Sequence, residues 1–319
     1  MALIANSNYK PPFWLLNGHF ETIYPVLFRK VPINVRPQKI DISTPDNDSF
    51  DLNYYNINSD KTVIISHGLE GNNQRPYILG MVKIFVNNGW NVIAWNYRGC
   101  NGKINNSICS YHSGFTDDIA EVIKFVESTK INKISLIGFS LGGNLTLRHL
   151  SEIDYINSKI KGAVVFSVPL DLHKSCLEIS KPKNTIYAKR FLRTLKKKVR
   201  EKSALFSEIN TEKLSKIHDL MTFDDHYTAP MHGFKDAMDY YRSCSAIYVL
   251  QKIKTSTLIV NGLNDPFLSQ ECYPYEIIED LEFVHLETPK KGGHVGFSEQ
   301  NGDGYYWSEK RALNFLESN

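Results

Sequence analysis

Apolar positions along this chain follow two periods. Short runs rich in β-branched residues recur at Thr62–Ser66, Trp90–Tyr97, Ile134–Phe139, Lys161–Ser167, Ser256–Asn261 and Glu282–Leu286. Such runs predict strands, and the most continuous of them strands buried on both faces. Between them, Tyr77–Asn87, Thr116–Ser128 and Asn144–Leu150 predict helices. In the second of these, Ile119, Val122, Ile123 and Val126 recur at helical spacing. Gly89 predicts the stop of the first. Val35–Ile42 and Phe50–Ile57 predict an antiparallel pair that turns at Asp46-Asn47-Asp48. A closing helix is predicted over Tyr306–Leu316. Strand and helix alternate up to Ser167, which predicts a mostly parallel sheet with helices on both faces.

The alternation then stops. From Val168 to about Val249 no buried strand pattern occurs, and Ser180–Ala246 is mainly helical in character. This stretch predicts a helical cap, residues 168–246, inserted in a core made of 1–167 and 247–319. A cap of this kind excludes water and shapes a pocket. Before the first strand, Pro11–Pro25 predicts a proline-stiffened aromatic arm packed across the domain, with His19 held in that packing.

Composition narrows the classes. The chain has 319 residues, 42% hydrophobic and 22% charged, with a net charge of +3. That is an ordinary globular composition, and the charge is too small for a nucleic-acid binder. No apolar run has the length to span a bilayer, and the N-terminus lacks the basic-then-apolar pattern of a secretory signal. Cys100, Cys109, Cys176, Cys244 and Cys272 are scattered and odd in number, which predicts reduced thiols, a cytoplasmic protein and no metal site. The sequons at Asn105 and Asn144 then carry no meaning.

Candidate chemistry centres on Gly138-Phe139-Ser140-Leu141-Gly142, a G-x-S-x-G pattern between a predicted strand and a predicted helix. This is the nucleophile elbow of α/β-hydrolases: the glycines let strand and helix approach, and the turn lifts the serine hydroxyl above the sheet edge. A serine needs a base, and the base needs a carboxylate to fix its tautomer. In this fold they follow in the order serine, acid, histidine. Asp265 and His294 stand in that order after the next two predicted strands, with Asp171 as a competing acid and Asp224 and Asp225 as remoter ones in the cap. His67-Gly68-Leu69-Glu70-Gly71 follows the strand Thr62–Ser66, where the amide of Leu69 would form an oxyanion hole with that of Leu141. His67 is then a structural histidine that holds this turn.

The chain resembles the YheT-like branch of the α/β-hydrolases along nearly its whole length. The residues that carry the likeness are Gly18-His19 with Thr22, His67–Gly71, Pro76-Tyr77, Asn96–Cys100, Tyr111–Gly114 and Gly138–Asn144. Further on they are Phe223-Asp224-Asp225, Thr228-Ala229-Pro230, Gly233-Phe234, Asp265-Pro266 and Gly293–Phe297. Asn264 departs from the pattern, where the family often has a second aspartate, and this bears on how Asp265 is held. The resemblance implies Ser140, Asp265 and His294 as a triad. It also implies cleavage of carboxylic esters of short to medium acyl chains, lipid esters among them, with no cofactor. Cys100 and His112 are packing residues on the same grounds.

Two rival readings remain at this level. An acyltransferase would pass the acyl group to an alcohol, and a binding protein on the same scaffold would do no chemistry. The basic run from Lys189 to Lys202 predicts a solvated face, with contact to an anionic membrane surface as the alternative. Oligomeric state leaves no mark in the sequence.

Overall fold

The computed structural model describes residues 2–4, 6–129, 131–152 and 159–318. Its centre is a nine-stranded sheet: β1 (Leu3–Ile4), β2 (Gln38–Ser43), β3 (Ser49–Tyr55), β4 (Lys61–Ser66), β5 (Asn91–Trp95), β6 (Lys133–Phe139), β7 (Ile160–Phe166), β8 (Thr257–Val260) and β9 (Val284–Glu287). The strand order is β1-β9-β8-β7-β6-β4-β5-β3-β2. All neighbours are parallel except β5 with β3 and β3 with β2. This is the α/β-hydrolase fold.

Helices α1 (Gly18–Phe28), α2 (Pro76–Asn87), α3 (Asp117–Glu127) and α4 (Leu141–Glu152) precede β7. Between β7 and β8 lie α5 (Leu172–Ile179), α6 (Thr185–Ser203), α7 (Leu220–Phe223), α8 (Ala229–Met231) and α9 (Ala237–Cys244). α10 (Tyr275–Glu279) precedes β9, and α11 (Trp307–Glu317) closes the chain.

The inner strands separate two apolar layers because successive side chains point to opposite faces. On one face Ile64, Ile134 and Leu136 pack with Ile119 and Val122 of α3 and Leu145 of α4. On the other, Val63, Ile65 and Ile137 pack with Met81 and Phe85 of α2 and Ala312 of α11. The helical insertion has a third cluster of its own, with Leu192, Val199, Leu220 and Tyr241.

The two ends of the insertion meet. Ile247 N–H donates to the Leu170 carbonyl at 3.0 Å, and Leu172 N–H donates to Ser245 Oγ at 3.0 Å. Asn144, on the second turn of α4, ties this seam to the core. Its Nδ2 donates to the carbonyls of Ser113 (2.9 Å) and Cys244 (2.8 Å), and its Oδ1 accepts from Ala246 N–H (2.9 Å).

The N-terminal segment holds two elements that the sequence reading did not predict. Leu3–Ile4 adds an edge strand to β9, and Gly18–Phe28, largely within the arm, is a helix. Asn17 supplies the cause: its side chain accepts from the amides of His19 (3.0 Å) and Phe20 (3.2 Å) and so caps the first turn. The packing of α1 is inverted. Gly18, Glu21, Thr22 and Pro25 face inward, whereas Phe20, Ile23, Val26, Leu27 and Phe28 face solvent.

The basic run in α6 also divides. Lys189, Arg190, Arg193 and Lys197 are exposed, but three lysines turn inward. Lys196 donates to the Ile217 carbonyl, Lys198 pairs with Glu70 at 2.7 Å, and Lys202 donates to the carbonyls of Ser107, Ile108 and Cys109.

Candidate active site

Strand β6 delivers Ser140 to the sheet edge, and α4 begins at the next residue. Ser140 has φ 54°, a left-handed conformation that a non-glycine residue adopts at a cost of order 1–3 kcal/mol. Close approach explains the flanking glycines. A Cβ at Gly138 would lie 2.4 Å from the Gly142 carbonyl oxygen, and one at Gly142 would lie 2.5 Å from the carbonyl oxygens of Ser66 and His67. Backbone strain recurs around this point, with positive φ at Glu70, Ser167 and Val295 as well.

The structure brings three of the sequence candidates into one hydrogen-bonded line. His294 Nε2 lies 3.0 Å from Ser140 Oγ. His294 Nδ1 lies 2.9 Å from Asp265 Oδ2 and 3.1 Å from Oδ1. A carboxylate only accepts, so Nδ1 carries the proton and Nε2 is left to take one from the serine. Asp265 Oδ1 also accepts from Phe267 N–H at 2.9 Å. The Phe267 ring lies over the imidazole, with centroids 4.1 Å apart. Asp171 is placed elsewhere: it caps α5 by accepting from Lys174 N–H. Asp224 is engaged with Thr228 and Tyr241, and Asp225 with Ala237 N–H.

The turn after β4 lies against the serine, with Gly68 so close that a Cβ there would be 3.2 Å from Ser140 Cβ. Its amides are mostly taken. Gly68 N–H donates to Tyr77 Oη, Glu70 N–H to Tyr111 Oη and Gly71 N–H to the Gly68 carbonyl. The Leu69 N–H, in the middle, has no acceptor among the described residues. His67 stands beneath. Its Nδ1 lies 2.8 Å from the Gly68 carbonyl and its Nε2 accepts from Tyr97 N–H at 3.3 Å. Burial lowers its pKa to about 3, so the ring stays neutral.

Sequence reasoning missed the polar side of α1. Glu21 is fully buried, and its Oε2 accepts from Asn264 Nδ2 (3.0 Å) and Gly292 N–H (2.6 Å). Asn264 Oδ1 accepts from Gly293 N–H at 3.0 Å, and Thr22 Oγ1 accepts from His294 N–H at 2.9 Å. One helix therefore holds both the acid loop and the histidine loop. Asn264 fits here because its amide donates to Glu21, which an aspartate cannot do unless protonated. A signal was available: between Pro11 and Phe28 Glu21 stands without any other Asp, Glu, Lys or Arg, and a lone charge in an apolar segment must find a partner when buried. His19 packs as the sequence reading expected, stacked on Tyr187 with Nδ1 3.2 Å from its hydroxyl.

Two cavities meet at Ser140. The larger, about 340 Å³, runs between α1, the Gly68–Gly71 turn and α6, past Tyr77, Arg75, Tyr187 and Arg190. The smaller, about 150 Å³, runs under the insertion past Leu141, Leu172, Leu195, Leu220 and Tyr241. Leu69, Ser140, Phe191, Phe267 and His294 border both.

A family model described as serine aminopeptidase, S33 (Hydrolase_4), matches residues 57–277. The protein YheT of Escherichia coli strain K12 is 31% identical over 92% of this chain and 88% of its own length. A monoacylglycerol lipase of Saccharomyces cerevisiae is 29% identical over 78% of this chain and 58% of its own. The solved structure of the esterase Pf2001 of Pyrococcus furiosus superposes with a TM-score of 0.59 at 19% identity, over 91% of this chain and 98% of that one. With a family model that spans more than half of its residues and a relative matched almost end to end, the chain belongs to the YheT-like abhydrolase family of α/β-hydrolases.

Proposed function

We propose that this protein, a carboxylic ester hydrolase, cleaves esters of apolar acyl chains of short to medium length through an acyl-enzyme on Ser140. The observation that carries the reading is the line from Ser140 Oγ through His294 to Asp265, set where the two cavities join. Ser140 attacks the ester carbonyl as His294 Nε2 takes its proton, and Asp265 stabilises the imidazolium that forms. The amides of Leu69 and Leu141 receive the oxyanion, each worth about 3 kcal/mol of barrier. His294 then returns the proton to the leaving alkoxide, and water releases the acid by the same steps.

The smaller cavity takes the acyl chain, and the leucines along its wall limit the length. The larger cavity takes the alcohol part. Residues 168–246 act as the cap that shapes both. An aminopeptidase would need a free carboxylate to hold the substrate ammonium. That ammonium would lie on the acyl side, where the carboxyl group among the described residues lining the smaller cavity is Asp224, already bonded to Thr228 and Tyr241.

Fluorophosphonate labelling tests the nucleophile: wild type labels and Ser140→Ala does not. Equal labelling of the two would remove the reading. A p-nitrophenyl ester panel graded by acyl length tests the pocket, with kcat/KM expected to fall for long chains. Leu220→Trp, which narrows the smaller cavity, should move that fall to shorter chains. Product analysis with added alcohol separates hydrolysis from acyl transfer.

A further inference from the structure

Helix α1 buries its polar stripe and exposes its apolar one. Phe20 is 54% exposed, Leu27 66% and Phe28 67%, and the segment before the helix adds Phe13 at 86% and Leu16 at 71%. Burying such side chains is favourable, so this much exposed apolar surface in one short segment marks a contact site. The inward side cannot trade places with it, because Glu21 and Thr22 are bonded to the loops that carry Asp265 and His294.

The position of the patch says what it meets. Ile23, Val26 and Leu27 of α1 and Ile186 of α6 form the rim of the larger cavity that leads to Ser140. Ile186 is itself 78% exposed. The outward face of α6 continues from that rim as Lys189, Arg190, Arg193 and Lys197, and the lysines of α6 that turn inward are not among them. An uncharged aromatic and aliphatic patch beside a row of cations is the complement of an anionic lipid surface, with apolar groups at acyl depth and cations at the headgroups. A protein partner would satisfy the apolar patch but gives no reason for it to border an ester-binding cavity.

We infer that α1, the segment Phe13–Leu16 and the outward face of α6 dock this protein on anionic lipid membranes, with the cavity mouth against the bilayer. An apolar ester then passes from lipid to Ser140 without crossing water. This last step rests on the reading of Ser140 as the nucleophile, whereas docking does not, and Ser140→Ala should bind vesicles as wild type does.

The experiment is co-sedimentation with sucrose-loaded vesicles of phosphatidylcholine alone and of equimolar phosphatidylcholine and phosphatidylglycerol. Wild type should sediment with the mixed vesicles, far less with phosphatidylcholine alone, and be released by salt. Phe20→Ser with Phe28→Ser should lower the partition coefficient at least about tenfold. Replacing Lys189, Arg193 and Lys197 by Gln should lower it about fivefold per cation. Both variants should keep wild-type rates on water-soluble p-nitrophenyl acetate, which reports that they fold. The lipid and salt dependence of wild type tests docking even where a variant fails to fold. No sedimentation of wild type, or sedimentation unchanged by lipid charge or in folded variants, overturns the proposal. So does a dimer, seen by analytical ultracentrifugation and lost in the α1 variant, when vesicles bind no protein: the patch then belongs to a second copy of the chain.

Discussion

The backbone N–H of His294 donates to the hydroxyl of Thr22 at 2.9 Å, and that hydroxyl donates in turn to the Gly18 carbonyl at 2.6 Å. The imidazole is thus positioned from a helix more than 270 residues away in sequence. Thr22→Val keeps the shape and removes the acceptor, leaving a buried N–H unpaired at about 1–3 kcal/mol. We expect kcat on a soluble ester to fall about tenfold with KM nearly unchanged. A steady-state comparison with wild type checks this.

Asn264 sits between two groups that need opposite things from it, since Glu21 takes its N–H and Gly293 gives it one. Asn264→Asp would set two carboxylates in contact in a buried place, where one must hold a proton. The variant is expected to lose stability and activity as pH rises. Glu21→Gln added to it restores a donor and should recover both. Thermal unfolding and ester assays across pH read the two effects.

Burial lifts the pKa of the Asp224 carboxyl to about 6, against the bonds from Thr228 and Tyr241 that oppose the shift. The folded protein therefore holds this proton more tightly than the unfolded chain, whose ordinary value is 3.8. The stabilisation is complete at pH below the unfolded value and is lost as pH rises through about 6. Asp224→Asn, which matches the neutral carboxyl in shape and keeps one acceptor oxygen, should raise Tm above pH 7 by a margin that fades towards pH 4. Calorimetry across that range checks the sign.

Lys202 is buried, and its ammonium satisfies three carbonyls of the loop that ends at Cys109. Lys202→Met fills the space but leaves the Ile108 carbonyl without its donor, whereas Asn105 Nδ2 still donates to those of Ser107 and Cys109. A loss of about 1–3 kcal/mol is expected, measured by urea unfolding.

Most of the central architecture could be read in the sequence because buried parallel strands announce themselves as short β-branched runs, as Thr62–Ser66 and Ile134–Phe139 do. The order Ser140, Asp265, His294 was legible for a related reason: each follows such a run. Leu3–Ile4 was not, since two residues form no period. The α1 helix was hidden by its own pattern. Its apolar residues face outward and Pro25 interrupts it, so a rule that seeks an inward apolar stripe finds none. The division of the α6 lysines was hidden too, because a long side chain reaches a buried carbonyl without leaving a mark on periodicity.

The seam at Leu170, Leu172, Ser245 and Ile247 has a consequence for how this scaffold changes over time. Because the insertion leaves and rejoins the sheet at almost one point, β7 and β8 experience it as a short bridge, whatever its length. Lengthening or replacing the helices beyond the seam adds little closure entropy to the core, since the cost grows only with the logarithm of loop length. Recombination at the seam is therefore a natural route by which one hydrolase could acquire another's selectivity in a single step, with Asn144 as the residue that each graft must continue to satisfy.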